Sequence, residues 1–395
     1  MLRLCVSQQD NSAPYTFAQT GQRVYSFEEA LYFVYHNWRL LEDEFLDEGF
    51  VAWVAGLGLS YYSSKVGEVC LLPSVSQRLA GFLRLADYFD EEELGSLARQ
   101  LEKWESRQDF EKLKERADYF AAMGEPAKAA PLYRQAVGLM DCEKLLNNYG
   151  VALMQMQNYP AAAACFARAL DIAPGSAALA VNLSECLILG GETDGARASL
   201  ERAVALASET RGGQRHFADI SYLRGILAWA ERRHMDALAH LKEACELAPD
   251  SAFFVNEMAK KLTAMRRFDA ALALLETSPK KDHSYYKAKA DAHAAARDFP
   301  SAIRAVRFAI NFSEGNPASL HTALAAYHRQ DYDLALAELA IEKALEADPD
   351  SEAAKLERAR IKKAQGRTRD YQAGLNDVLA SLKRKYRENV FDALD

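Results

Sequence analysis

The residues able to do chemistry are scattered rather than grouped. Six cysteines (Cys5, Cys70, Cys142, Cys165, Cys186 and Cys245) form no CxxC pair and no metal-ligand spacing. No zinc-protease, phosphate-loop or nucleophile-elbow motif occurs. The carboxylates of Glu91-Glu92-Glu93 crowd a helix start, where the helix dipole accounts for them. Gly56-Leu57-Gly58 lacks the further glycine and preceding strand of a dinucleotide loop and reads as a helix stop. His36 sits in an aromatic-rich segment, YSFEEALYFVYHNW, whose helical spacing is that of a packed core. The residues therefore imply no catalytic centre, no metal and no cofactor.

What remains is chemistry suited to recognition. Asn147, Asn148 and Asn182 carry side-chain amides, which can both donate to and accept from a peptide backbone. Tyr222, Ile226 and Trp229 follow at i, i+4 and i+7, a stripe able to form an apolar anchor. Lys144, Glu185, Asn256 and Lys260 fall at related helical positions. The elements that must position these groups are written in the sequence by a period. From Leu146 to Pro174 the chain reads LLNNYGVALMQMQNYPAAAACFARALDIAP, and its pattern returns 34 residues later. Asn148 becomes Asn182, Gly150 becomes Ser184, Ala162 becomes Ala196 and Ala169 becomes Ala203.

A fixed 34-residue period with small residues at the helix crossings and a proline after the second helix resembles the tetratricopeptide repeat family. The resemblance covers about residues 110–350. It implies repeats near 110–142, 143–176, 177–209, 218–251, 252–278, 283–315 and 316–350, with an extended loop at Ser208–Phe217 around Gly212-Gly213. In repeat seven, Tyr332, Ala335 and Leu339 are expected to face the core. The fold class is all-α: a right-handed α-solenoid of helix-turn-helix repeats, preceded by a small, mainly helical domain over 1–105. The array occupies 106–350, and 351–395 forms capping helices whose polar outer face meets water.

The first 105 residues do not share the period. Tyr15-Thr16-Phe17 and Arg23-Val24-Tyr25 flank a Thr20-Gly21-Gln22 turn and predict a short hairpin or extended arm. Ser26 with Glu29 forms a capping box for a helix carrying Phe27, Leu31, Val34, Tyr35, Trp38 and Leu41. Further helices are expected from Asp43 to Val54, from Ser74 to Tyr88, and from Asp90 to Trp104.

The family resemblance implies that the first helix of each repeat lines a concave groove for a peptide or partner protein. Carried over by position, the groove comprises Lys114, Asp118, Lys144, Asn147, Asn148, Val151, Met154, Asn182, Glu185, Tyr222, Ile226, Trp229, Asn256 and Lys260. The same positions allow a structural reading: the asparagines bond within the array, and the Tyr-Ile-Trp stripe belongs to inter-repeat packing. Lys114 and Asn148 match the chaperone-tail clamp of some family members. Asp118, Ala178 and Asn182 depart from it, so that clamp is not expected.

Bulk properties bound the partners. The 395 residues carry a net charge of -8 and are 50% hydrophobic, which suits a soluble chain and argues against nucleic acid. Lys383-Arg384-Lys385-Tyr386-Arg387 near the end is explained by the helix dipole. No apolar run approaches a membrane span, the start lacks a signal pattern, and the free cysteines suit a reducing, cytoplasmic compartment. The expected role is a non-enzymatic scaffold or adaptor, with self-association possible through unfilled solenoid faces. The alternatives are an accessory chaperone or regulator whose N-terminal domain recognises a client or gates the groove, and a ligand-sensing or enzymatic N-terminal domain.

Overall fold

The computed structural model describes residues 13–391 apart from 43, 87, 210 and 314, with side chains described up to 383. Cys5 and the basic residues Arg384, Lys385 and Arg387 lie outside the described side chains. The chain divides into two compact units, 1–190 and 191–395.

The first unit opens with the hairpin expected from the turn residues: β1 (Tyr15–Thr16) pairs antiparallel with β2 (Arg23–Val24), Tyr15 opposite Val24. Helix α1 (Phe27–Leu41) starts where Ser26 accepts the Glu29 N–H, and the Glu29 carboxylate reaches back to the Tyr25 N–H at 2.6 Å. Helix α2 (Glu48–Gly56) begins later than the Asp43 start read from the sequence, because Asp47 is its N-cap and accepts from the Phe50 N–H. Helix α3 (Ser60–Cys70) was not expected at all. Its segment SYYSSKVGEVC has polar and glycine residues between Ser63, Val66 and Val69, which alone are buried. Helix α4 (Val75–Leu83) ends short of Tyr88, and α5 (Glu91–Glu105) carries the complete Asp90/Glu93 capping box. Phe17, Phe45, Phe50, Phe82, Trp38 and Trp104 fill one core between these elements, with edge-on contacts such as Phe45 against Phe50 at 5.2 Å and 90°. In the aromatic segment Phe27 and Trp38 are core, with Phe33 and Tyr35 packed against it, while Tyr25 and Tyr32 are exposed. His36 lies exposed against Tyr32.

The same unit continues through α6 (Asp109–Ala122), α7 (Pro126–Leu139), α8 (Glu143–Gln155), α9 (Tyr159–Ile172) and α10 (Ala177–Gly190). Arg39 reaches Glu115 at 3.4 Å and Arg116 reaches Glu44 at 3.6 Å, tying the N-terminal helices to α6.

The second unit holds α11 (Thr193–Glu209), a 3-10 turn at Gly213–His216, α12 (Phe217–Ala230), α13 (His234–Leu247), α14 (Ala252–Ala264), α15 (Phe268–Glu276), α16 (His283–Ala295), α17 (Phe299–Asn311), α18 (Ala318–Gln330), α19 (Leu334–Ala347), α20 (Glu352–Ala364) and α21 (Thr368–Phe391). In α20 the buried Glu357 is held by Arg329 at 2.6 Å and Arg360 at 3.2 Å.

Packing inside each helix pair follows one rule. A small residue on the first helix is buried against a large one on the second: Ala117 with Tyr133, Gly150 with Phe166, Gly225 with Leu241, Ala259 with Leu275, Ala290 with Val306, and Ala325 with Ile341. The space is full. A Cβ built on Gly150 would sit 2.8 Å from the Phe166 ring, and one on Gly225 would sit 2.9 Å from Leu241. Repeat seven corrects the sequence reading, since its second helix buries Ala337, Ile341 and Ala344. Tyr332 is 88% exposed and Leu339 is 51% exposed, because Tyr332 occupies the turn and the helix starts only at Leu334.

That turn is the second recurring device. Gly124, Gln157, Arg232, Arg266, Arg297, Tyr332 and Gly366 all have positive φ, between 61° and 77°. After each, the next N–H returns to a carbonyl five residues back: Asn158 to Leu153, Asp298 to His293 and Asp333 to His328, all at 2.9 Å. This closes the first helix and fixes the angle at which the second departs. Asn158, Asp298 and Asp333 then cap that second helix.

These two devices can be tested separately by denaturant titration. Gly150→Ala should cost about 1–3 kcal/mol by overpacking. Gly124→Ala, whose Cβ would meet nothing within 4 Å, should cost about 1–2 kcal/mol from backbone strain alone. Tyr332→Gly should cause no loss.

Candidate functional site

In the first unit, α6, α8 and α10 present the predicted polar residues as one connected ladder. Lys114 pairs with Asp118 one turn on. Asp118 Oδ1 accepts from the Tyr133 hydroxyl at 2.6 Å and from Asn148 Nδ2 at 3.1 Å. Asn147 Nδ2 donates to Asn148 Oδ1 at 3.4 Å, and Asn182 Nδ2 donates to Asn147 Oδ1 at 2.8 Å. The ladder is half-buried, so each amide spends part of its capacity on its neighbours. Asp118 is the centre: burial, and then its hydrogen bond, push the Tyr133 hydroxyl far above its ordinary pKa. Lys144 and Val151 are exposed beside the ladder, and Met154 and Glu185 are half-buried.

The second unit treats its predicted residues differently. Tyr222 packs against Phe253 at 5.0 Å and Phe254 at 5.7 Å, joining α12 to α14. Trp229 lies 4.4 Å from the His234 ring, with the Lys261 ammonium 4.8 Å from its centroid. Ile226 is half-buried between them in sequence. This stripe thus contributes to inter-repeat packing. Asn256 is 4% exposed, and its Oδ1 has no hydrogen-bond partner.

Lys260 is exposed and lines a cavity of about 740 Å³ with Lys280, Lys281, Lys287, Ser284 and Phe312. Its opening follows from α15, which has 9 residues where α13 has 14. Lys280 and Lys281 stand in the connection that the short helix leaves. The Glu276 carboxylate staples this connection, binding Lys289, Lys281 at 3.1 Å and the Tyr285 hydroxyl at 3.0 Å. Those contacts, Lys289 first, pull Glu276 down to about 2. Lys260 pairs with Glu257 and Lys287 with Asp291. The Lys260 pair lies at the surface, a kind worth about 0–1 kcal/mol, so an incoming carboxylate can exchange for Glu257; the Lys287 pair is half-buried. The sequence shows the early end of repeat five at Ser278, but not the cavity that Lys280 and Lys281 line beyond it.

The thiols are quiet. Burial raises Cys165 to about 11, and it raises Cys245 as well. Among the described residues, no group of three or more His, Cys, Asp or Glu side chains is placed to hold a metal ion, and no helix is long and apolar enough to cross a membrane.

Two predictions follow from this geometry. Asp118→Ala leaves the buried Tyr133 hydroxyl and Asn148 without their acceptor and should cost about 1–3 kcal/mol in chemical denaturation, with Asp118→Asn milder. Glu276 stabilises the fold above its ordinary value of 4.5, and that contribution is lost as pH falls toward about 2. Glu276→Gln should therefore flatten the decline of the thermal midpoint over that window.

Comparison with known proteins agrees with the repeat geometry. Two family models, both described as tetratricopeptide repeat, match the sequence, one over 153–211 and the other over 114–177, 190–252 and 287–352. Protein SULFUR DEFICIENCY-INDUCED 2 of Arabidopsis thaliana is 29% identical over 147 residues, which are 36% of this chain and 48% of that protein. The chain thus spans about half the length of that curated relative. Yeast Tom70 superposes with a TM-score of 0.55 at 16% identity, over 93% of both chains. A tetratricopeptide repeat protein from Parabacteroides merdae gives 0.47 at 18% identity, over 65% of this chain and 99% of its own. At 16% identity the likeness to Tom70 is one of fold.

Proposed function

Since the chain belongs to the tetratricopeptide repeat family, a fold that generally builds protein–protein interaction surfaces, we propose that it is a non-enzymatic scaffold binding an extended segment of a partner protein along the first helices of its repeats. The observation that carries this reading is the cavity lined by Lys260, Lys280, Lys281 and Lys287, with Phe312 at its wall. Four lining lysines against one lining carboxylate, Asp282, beside a half-exposed aromatic ring, suit a segment bearing carboxylates and an apolar side chain. The ladder from Asp118 to Asn182 offers its remaining amide hydrogens to a peptide backbone, without selecting sequence. Lys144 and Glu185 extend the contact surface within the first unit, and the accessible edges of Ile226 and Trp229 do so within the second. The domain limits 1–105, 106–350 and 351–395 belong to this proposal, as does a reducing, cytoplasmic setting, which the free thiols support.

A second reading gives residues 1–105 a regulatory part. The ion pairs of Arg39 with Glu115 and of Glu44 with Arg116 flank Lys114 and favour it. On that reading, release of these pairs changes access to the α6 face.

Capture of partners from the source cell's lysate tests the scaffold reading. The full chain is compared with Lys260→Gln/Lys287→Gln and with Asn147→Ala/Asn182→Ala, all three matched in circular dichroism and melting. Loss of one partner with the lysine variant alone is the expected result. Loss with the asparagine variant alone moves the contact to α6, α8 and α10. Retention of every partner by both variants sinks the reading.

A further inference from the structure

Four residues before and three after the small crossing residue, the first helices carry Leu113 and Phe120 in α6, Leu146 and Leu153 in α8, and Val255 and Leu262 in α14, but Ser221 and Ala228 in α12 and Tyr286 and His293 in α16. In α18 both are histidines, His321 and His328. His328 is 5% exposed, and Nδ1 of His321 is buried with no hydrogen-bond partner. Leucine at either place would avoid burying an imidazole, and an unpartnered buried polar atom costs about 1–3 kcal/mol.

Both histidines line a cavity of about 380 Å³ bounded by α17, α18 and α19, between second helices and away from the first-helix face. That size lies near the lower end of the roughly 300–1,000 Å³ range of small-molecule sites. Its charged groups are Arg307 and Lys343, both exposed and neither ion-paired among the described residues, with the Asn311 amide beside them. Among the described residues no carboxylate lines it. Leu324, Leu336 and Leu339 supply the apolar wall. Burial holds both imidazoles below their ordinary pKa, with Lys343 adding to it at His321; at His328 the Asp333 carboxylate opposes burial, Arg307 adds to it, and Asp331 opposes it further.

We propose that the α17–α19 cavity is a binding site for a small amphiphilic carboxylate, with its head between Arg307 and Lys343 and its apolar body on Leu324, Leu336 and Leu339. Two cations without ion-pair partners among the described residues, lining the same cavity as three leucines and with donors from Asn311 and the imidazoles, match one anionic group on a short hydrocarbon chain. This site is independent of partner binding along the first helices.

Octanoate is the probe, with octan-1-ol supplying the tail without the charge and acetate the charge without the tail. Titration calorimetry and thermal melting on the full chain should show octanoate binding and a raised midpoint, with both controls at least tenfold weaker. Arg307→Gln/Lys343→Gln, which alters only exposed side chains, should weaken octanoate at least tenfold and leave the unliganded midpoint unchanged. His321→Leu should raise the unliganded midpoint and also weaken octanoate. Octan-1-ol binding as tightly as octanoate, or full affinity in the Arg307/Lys343 variant, would overturn the assignment.

Discussion

Close approach of paired helices is the constraint on which the other features rest. Within each helix pair a glycine or alanine leaves room so that a large residue opposite can fill the gap, as Phe166 does against Gly150. Dispersion is gained only when the fit is dense, so these positions tolerate neither a cavity nor an added methyl group. Residues between the crossings are released from that demand. They carry the amide ladder in one unit and the lysine-lined cavity in the other.

The crossing is held in place by its turn. A residue with positive φ reverses the chain, and the carbonyl five residues back takes the next N–H. Glycine is the easy choice at Gly124 and Gly366, yet Gln157, Arg232, Arg266, Arg297 and Tyr332 adopt the same conformation. Their strain is carried by the bonds on both sides and by the packed pair beyond them. Turn geometry is therefore conserved through the array while turn composition is not. This is why the repeat-seven frame misled when read from residues alone: Tyr332 resembles a core aromatic, but its backbone places it in solvent.

Legibility followed the strength of local signals. Capping residues at Ser26, Ser74 and Asp90 announced their helices, and the small-residue period announced the repeats. Helix α3 stayed hidden because its three buried residues include a serine, whose hydroxyl is satisfied by the Val51 carbonyl, a partner outside the helix. The binding positions were legible as places on a helix and not as environments. Nothing in the order of residues says that Tyr222 meets Phe253, that Asn147 meets Asn182, or that Asn256 is enclosed. Those facts depend on which helix lies next door. The lysine-lined cavity required the missing turns of α15 as well as the lysines.

Repeat arrays change length in evolution by duplicating or deleting units, which requires any unit to fit any neighbour. Glu357 breaks that interchangeability at one seam. Its carboxylate is enclosed in α20, and Arg329, its partner on α18, comes from the preceding repeat. A different repeat spliced in ahead of α20 would present another side chain at the Arg329 position and leave the buried carboxylate with Arg360 of its own helix as its remaining cation. The terminal helix pair thus fits one predecessor best, and growth of the array by unit insertion is disfavoured at that seam while remaining open where leucine meets alanine.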